Sequence, residues 1–273
     1  MKLLNGQELA SYIQERQIRQ VRALRQAHHI APTLAIIQTN SDPVSNAYIS
    51  LKEAYGDDML IDVSVHRVDQ TEALSLIETL NNDPLVHGII VQLPLDDPAQ
   101  TDEIVNAIAP VKDVDGLGER AAYVSATATA IDWLLAGYNV DLKSKKIAIV
   151  GNGRLVGAPL ARLWQTTGYD VSVYDDQTGD LAAALRSAQV VVSAAGVPGL
   201  ITEHMLQPNA VVVDAGTASE GGRIVGDVAT SVRERRDITI TPEKGGVGPL
   251  TITALFDHVI QAARKVADAS IQD

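Results

Sequence analysis

The chain contains no cysteine, which excludes disulfides, thiolate metal sites and a cysteine nucleophile. It also lacks a basic excess: 34 acidic against 22 basic residues leave a net charge of −12. Nucleic acid is therefore not an expected partner, because phosphate contacts need a cationic face. No apolar run approaches the roughly 18 to 20 residues that span a bilayer. Met1-Lys2-Leu3-Leu4-Asn5-Gly6 lacks the apolar segment of a secretion signal. These absences lead to the expectation of a cytoplasmic protein without a membrane partner. The histidines, His28, His29, His66, His87, His204 and His258, show no ligand spacing with carboxylates, so no metal is expected. There is no internal repeat and no low-complexity linker.

What is present is a repeated alternation of short β-branched runs and helical patterns over 273 residues. Gln7 to Gln26 reads as a helix, with Leu9, Ile13, Val21 and Leu24 near one face. Strands are expected at Thr33–Gln38, Ile61–Val68 and Gly88–Gln92, and helices open at Asp42-Pro43, Thr71 and Asp102. The pattern restarts near Lys146. Strands are expected at Ile147–Val150, Val171–Tyr174, Val190–Ala194, Val211–Asp214 and Ile238–Thr241. Helices are expected over about Val156–Thr167 and about Thr251–Asp268, and Ala121–Leu142 reads as a connecting helical segment. Strand–helix alternation predicts an α/β protein with parallel sheets covered by helices on both faces. The two series imply two domains.

Ile147–Val150 runs directly into Gly151-Asn152-Gly153-Arg154-Leu155-Val156-Gly157. Glycines in a strand-to-helix turn let backbone approach a pyrophosphate, and the helix start offers free N–H groups. A tight turn alone is the plain alternative, and the flanking strand and helix favour a dinucleotide. The next strand ends in Asp175-Asp176, where acids usually bind the ribose hydroxyls. They also repel a 2′-phosphate. Two unit charges about 4 Å apart interact by roughly 4 kcal/mol at an effective dielectric of 20. Solvent reduces this to about 1 to 2 kcal/mol, roughly tenfold in affinity. NAD is thus preferred over NADP, although Arg154 in the loop offsets part of this. A solvated turn is the plain reading of the two acids.

In the first half, Tyr48 and Lys52 are four apart and share a helix face. Gln92 lies at the C-terminal end of a buried strand, where open α/β sheets place ligands. Lys112-Asp113-Val114-Asp115-Gly116 follows the next helix, and Lys244-Gly245-Gly246-Val247-Gly248-Pro249-Leu250-Thr251 approaches the last. Singly, these read as an amphipathic pair, a strand cap, turn formers, and a loop with Thr251 as a helix cap.

Together with Val91-Gln92-Leu93-Pro94-Leu95 and Val225-Gly226-Asp227-Val228, they resemble the methylenetetrahydrofolate dehydrogenase/methenyltetrahydrofolate cyclohydrolase family, the bifunctional FolD-type enzymes. The motifs match in order and approximate spacing along nearly the whole chain. The resemblance implies two α/β domains flanking a cleft, the second a Rossmann-like dinucleotide-binding domain with a parallel sheet. Residues 1–122, with a returning terminal helix at about 251–273, would form the folate-binding domain, and 123–250 the NAD(P) domain. It implies catalytic roles for Lys52, Gln92, Tyr48 and Asp115. Tyr48 would stack on the folate, Asp115 would bond the pterin, and Gly248, Pro249 and Leu250 would line the substrate site. Lys52, held by Gln92, would run the cyclohydrolase step. The cofactor, NAD or NADP, would contact Gly151, Asn152, Gly153, Arg154, Val156, Gly157, Asp175, Asp176 and Thr217. A tetrahydrofolate derivative is the implied substrate, and a homodimer the implied assembly.

The sequence departs from the family pattern in four places. The loop after Asp115 is shortened to Leu117–Val124, and the following Pro-Cys-Thr-Pro-like motif reads Ser125-Ala126-Thr127-Ala128. Pro-Val-Pro-Gly-Gly has become Pro242-Glu243-Lys244-Gly245-Gly246. The cofactor loop carries Gly151-Asn152-Gly153 where the family has Gly-Arg-Ser, which again favours NAD. Asp-Val-Gly-Ile is Asp214-Ala215-Gly216-Thr217. Two alternatives follow: a degenerate paralogue that binds nucleotide or folate without full turnover, and a shikimate-type dehydrogenase.

Overall fold

The computed structural model describes residues 1–220 and 223–269. In chain order the elements begin with β1 (Lys2–Leu3), α1 (Gly6–Ala27), β2 (Thr33–Gln38), α2 (Pro43–Met59), β3 (Asp62–Arg67), α3 (Ala73–Asn82), β4 (Gly88–Val91) and α4 (Thr101–Asn106). They continue with α5 (Ala126–Gly137), β5 (Lys146–Val150), α6 (Gly157–Thr166), β6 (Asp170–Tyr174), α7 (Leu181–Leu185), β7 (Val190–Ser193) and β8 (Val211–Asp214). The last are β9 (Ala218–Glu220), β10 (Arg223–Val225), α8 (Thr230–Arg233), β11 (Thr239–Ile240) and α9 (Val247–Ala269). The chain divides into two compact units, one of residues 11–126 with 252–273, the other of residues 1–10 with 127–251.

In the 11–126 unit, β3, β2 and β4 form a parallel sheet with β2 in the centre. Leu34 pairs with both Val63 and Gly88, which sets the register. Residues 34 to 38 of β2 are buried without interruption, the continuous apolar pattern of a strand covered on both faces. Ile37, Ile77, Ile89 and Ile104 pack in one cluster. Asp42 caps α2 by accepting from the N–H groups of Val44 and Ser45, and Pro43 opens its first turn. That cap fixes where α2 starts, and so where Tyr48 and Lys52 emerge.

In the other unit the order is β1-β11-β8-β7-β5-β6, and every neighbouring pair is parallel. Val190, Val191 and Val192 of the inner strand β7 are fully buried. Trp164 on α6 is also fully buried, and its indole N–H donates to Asp132 of α5 at 2.9 Å. β9 and β10 form a separate antiparallel pair.

Three features differ from the sequence-based expectation. Residues 1–10 group with 127–251 rather than with 11–122, because Lys2 and Leu3 pair with Thr239 and Ile240 at the sheet edge. β9 and β10 extend the segment after Thr217. The last helix starts at Val247 rather than about Thr251. Pro249 is tolerated there because first-turn N–H groups have no intrahelical partner to lose. Thr251 is accordingly not a cap, and its hydroxyl faces the Val247 carbonyl at 3.4 Å. No described helix is long and apolar enough to cross a membrane.

Candidate active site

The 11–126 unit brings Lys52, Gln92 and Asp115 together. Lys52 stands one turn after Tyr48 on α2, and both side chains are partly buried. Gln92 follows the last residue of β4. The Lys52 ammonium nitrogen donates to Gln92 Oε1 at 2.7 Å, and Gln92 Nε2 donates to the Leu93 carbonyl at 2.9 Å. A carbonyl can only accept, so the second bond orients the amide with its oxygen toward Lys52. Burial lowers the Lys52 pKa, partly opposed by the charge of Asp115. Burial raises Asp115 to about 6, against the pull of Lys52. Each group is thus displaced toward neutrality.

Asp115 is placed by the turn that carries it. The Ile89 N–H donates to the Lys112 carbonyl at 2.8 Å, which lays this segment beside β4. Lys112 is structural: its ammonium donates to the carbonyls of Leu80 and Asp83 at the end of α3. Asp113 is buried and accepts from the N–H groups of Gly116 at 3.0 Å and Gly118 at 2.7 Å. Gly116 has φ +70°, and a Cβ there would lie 2.6 to 2.7 Å from the backbone of Val124 and Ser125. The shortened loop after Asp115 therefore folds back on the turn directly, and the Ala126 N–H donates to the Asp115 carbonyl at 3.1 Å.

The other unit carries the glycine turn between β5 and α6. Gly151 has φ +98°, and a Cβ would lie 2.4 Å from the Ala194 carbonyl oxygen. A Cβ on Gly157 would lie 1.9 Å from the Gly151 oxygen. Both glycines are required by the packing of strand, turn and helix. Gly153 differs, because its Cβ would meet nothing within 4 Å. No side chain caps the start of α6 at Val156. In its first turn the Ala158 N–H donates to the Gly153 carbonyl at 3.1 Å, and Pro159 has no N–H. The turn before the helix, more than the helix start, is therefore what could meet an anion. Asn152, Gly153 and Arg154 are exposed around this turn, which is the form a pyrophosphate cradle takes.

Asp175 and Asp176 are exposed at the end of β6. Asp175 also builds the turn, accepting from the Gln177 N–H at 3.1 Å. Thr217 is exposed after β8. Gly248 is exposed in the first turn of α9 and Pro249 is partly buried, whereas Leu250 is wholly buried and belongs to the core. Asp113, read as a turn former, does hold its own turn, whereas sequence reasoning left two carboxylates without a role: Asp214 and Asp227. Asp214 accepts from the N–H groups of Asp227 and Val228, and Asp227 from those of Ala195 and Val197, distant segments that no local pattern reveals.

Residues 4–115 match the family described as tetrahydrofolate dehydrogenase/cyclohydrolase, catalytic domain. Residues 125–267 match its NAD(P)-binding domain. A curated relative, the bifunctional protein FolD of Heliobacterium modesticaldum, is 38% identical, with 94% of each chain covered. The solved FolD methylenetetrahydrofolate dehydrogenase/cyclohydrolase of Campylobacter jejuni is 34% identical with a TM-score of 0.92, over 97% of this chain and 99% of that one. The Trypanosoma brucei enzyme, solved with NADP and an inhibitor, is 28% identical with a TM-score of 0.89, over 99% and 98%. With both of its halves matched in order, the chain belongs to the tetrahydrofolate dehydrogenase/cyclohydrolase family.

Proposed function

We propose that this chain carries out both activities of its family, with Lys52, Gln92 and Asp115 at the folate and the Gly151–Gly157 turn at the dinucleotide. The first activity oxidises 5,10-methylenetetrahydrofolate to the 5,10-methenyl cation. The second hydrolyses that cation to 10-formyltetrahydrofolate. The Lys52–Gln92 bond of 2.7 Å carries the reading. In a neutral lysine this bond uses one N–H and leaves the nitrogen lone pair free. That lone pair takes a proton from water as the water oxygen adds to the amidinium carbon. The bond from that carbon to N5 then breaks, the hydroxyl proton passing to N5 as the carbon–oxygen double bond forms, which leaves the formyl group on N10 and the net proton on Lys52. Tyr48, one turn away, stacks on the folate ring, and Asp115 bonds the pterin.

When bound, the dinucleotide accepts the hydride released from the methylene carbon. The chain's part is to hold it. Gly153 is the observation that favours such a ligand, since neither backbone strain nor internal crowding requires a glycine there. Asn152, Arg154 and Val156 share the turn, and Thr217 stands on the nicotinamide side. NAD is the preferred form, because Asp175 and Asp176 oppose a 2′-phosphate and Asn152 replaces the arginine that would receive it. The shikimate-type alternative lacks the motif order that places the chain in its family.

Absorbance assays with 5,10-methylenetetrahydrofolate and either NAD or NADP test both steps, following reduced cofactor and methenyl product separately. We expect reduction with NAD to exceed reduction with NADP, and little methenyl to accumulate. Lys52→Ala is expected to abolish cyclohydrolase turnover and keep dinucleotide binding. Wild-type hydrolysis by that variant would remove Lys52 from the mechanism. No reduction with either cofactor would favour the binding-only paralogue.

A further inference from the structure

We propose that Asp227 is a positioning residue for the dinucleotide, acting through the turn that follows β7. This rests on the dehydrogenase reading above. Asp227 comes from the Val225-Gly226-Asp227-Val228 motif, which neither reaction step uses. Its side chain is fully buried, yet it is spent on one short stretch of another segment. Oδ2 accepts from the Ser193 hydroxyl at 2.7 Å and from the Ala195 N–H at 2.7 Å. Oδ1 accepts from the Val197 N–H at 2.9 Å. Three donors within five residues fix the path of the chain as it leaves β7, and the turn includes Gly196 at φ +68°.

This turn backs the dinucleotide site. β7 is hydrogen-bonded to β5, and β5 leads into Gly151. The Ala195 nitrogen lies 2.8 Å from where a Cβ on Gly151 would stand, and the Ala194 oxygen 2.4 Å. The peptide whose N–H Asp227 holds is therefore the surface against which the first glycine of the cofactor turn packs. Movement of that peptide is transmitted to Gly151 without a compressible side chain between them.

Asp227 is itself held. Its own N–H donates to Asp214 Oδ1 at 2.9 Å, and Asp214 pairs with Arg233 at 2.9 Å. A Cβ on Gly216 would lie 2.0 Å from the Asp227 carboxylate, and one on Gly226 would lie 2.1 Å from that of Asp214. Each glycine makes room for the other segment's carboxylate. That arrangement accounts for Gly216 and Gly226, neither of which has a positive φ.

A carboxylate suits this place because it only accepts. An asparagine keeps the shape but turns an NH2 toward a buried N–H or hydroxyl, so at least one donor loses its acceptor. For Asp227→Asn we expect the KM and the equilibrium Kd for the dinucleotide to rise about tenfold, or about 1.4 kcal/mol. Cyclohydrolase turnover of methenyltetrahydrofolate supplied directly should stay within about twofold, since that step needs no dinucleotide. Ser193→Ala removes one donor while leaving both backbone bonds, and should raise the same KM by a smaller factor. It serves as the test should Asp227→Asn not fold. An unchanged cofactor KM in the folded variant, or both activities falling in proportion, would overturn the role of Asp227. Failure of the wild-type chain to reduce either dinucleotide would instead overturn the dehydrogenase reading beneath it.

Discussion

Asp115 shows how a single side chain reports on its site. Its carboxyl ordinarily titrates at 3.8, and burial holds it at about 6 despite the nearby Lys52. Between about pH 4 and pH 6 the folded protein therefore binds more protons at this position than the unfolded chain. The stability from this group is present at low pH and is lost as pH rises through the folded value. Asp115→Asn is uncharged throughout. Its melting temperature relative to wild type should therefore rise between about pH 4 and pH 7, as thermal unfolding in a buffer series will measure. A pH-independent difference would mean that Asp115 titrates as an exposed carboxylate. Gln92 illustrates the complementary case of a neutral residue. Its value lies in two fixed bonds, and only the three-dimensional path of β4 brings it to Lys52.

At the scale of elements, the strand-turn-helix of β5, the glycine turn and α6 separates two kinds of glycine. Gly157 is a packing glycine, its missing Cβ standing 1.9 Å from the Gly151 oxygen. Gly157→Ala must push α6 away from the strand, with a loss of about 1 to 3 kcal/mol and weaker cofactor binding. Gly153 has open space around it. Gly153→Ala should keep the wild-type unfolding temperature while the dinucleotide KM rises. Unfolding scans and steady-state kinetics on the two variants distinguish them, and equal behaviour would mean that the turn has no ligand-facing side. The periodicity made β2, β5, β8 and α6 legible, because each is bounded by its own turn residues. It did not reveal β1. Two residues give no period, and their partners Thr239 and Ile240 lie at the far end of the sequence. The start of α9 was also hidden, because Gly248 and Pro249 read as breakers until their first-turn position is known. The glycine turn stands out by its place between a strand and a helix, whereas only the resemblance of their motifs to the family singles out Lys52 and Gln92. The Asp214–Asp227 pairing could not be read from the sequence, since each carboxylate faces backbone of the other's segment.

The whole molecule carries a net charge of −12, and both of its proposed ligands are anionic. Such a field opposes their approach at low ionic strength, where the screening length is about 30 Å at 0.01 M against about 8 Å at 0.15 M. NADP carries an added phosphate and experiences this opposition more strongly than NAD. Asp175 and Asp176, both exposed at the end of β6, would add a local repulsion under the proposed cofactor placement. Raising ionic strength over that range should therefore increase kcat/KM for NADP more than for NAD, and the proposed preference for NAD should narrow. Neutralising the two acids as Asp175→Asn with Asp176→Asn should flatten most of that salt dependence. Steady-state kinetics with both cofactors across a salt series measures it. If the NAD to NADP ratio stays constant with salt, the selection comes from the shape of the turn around Asn152 rather than from charge. The two carboxylates would then be turn formers, a part Asp175 already plays through its bond to Gln177.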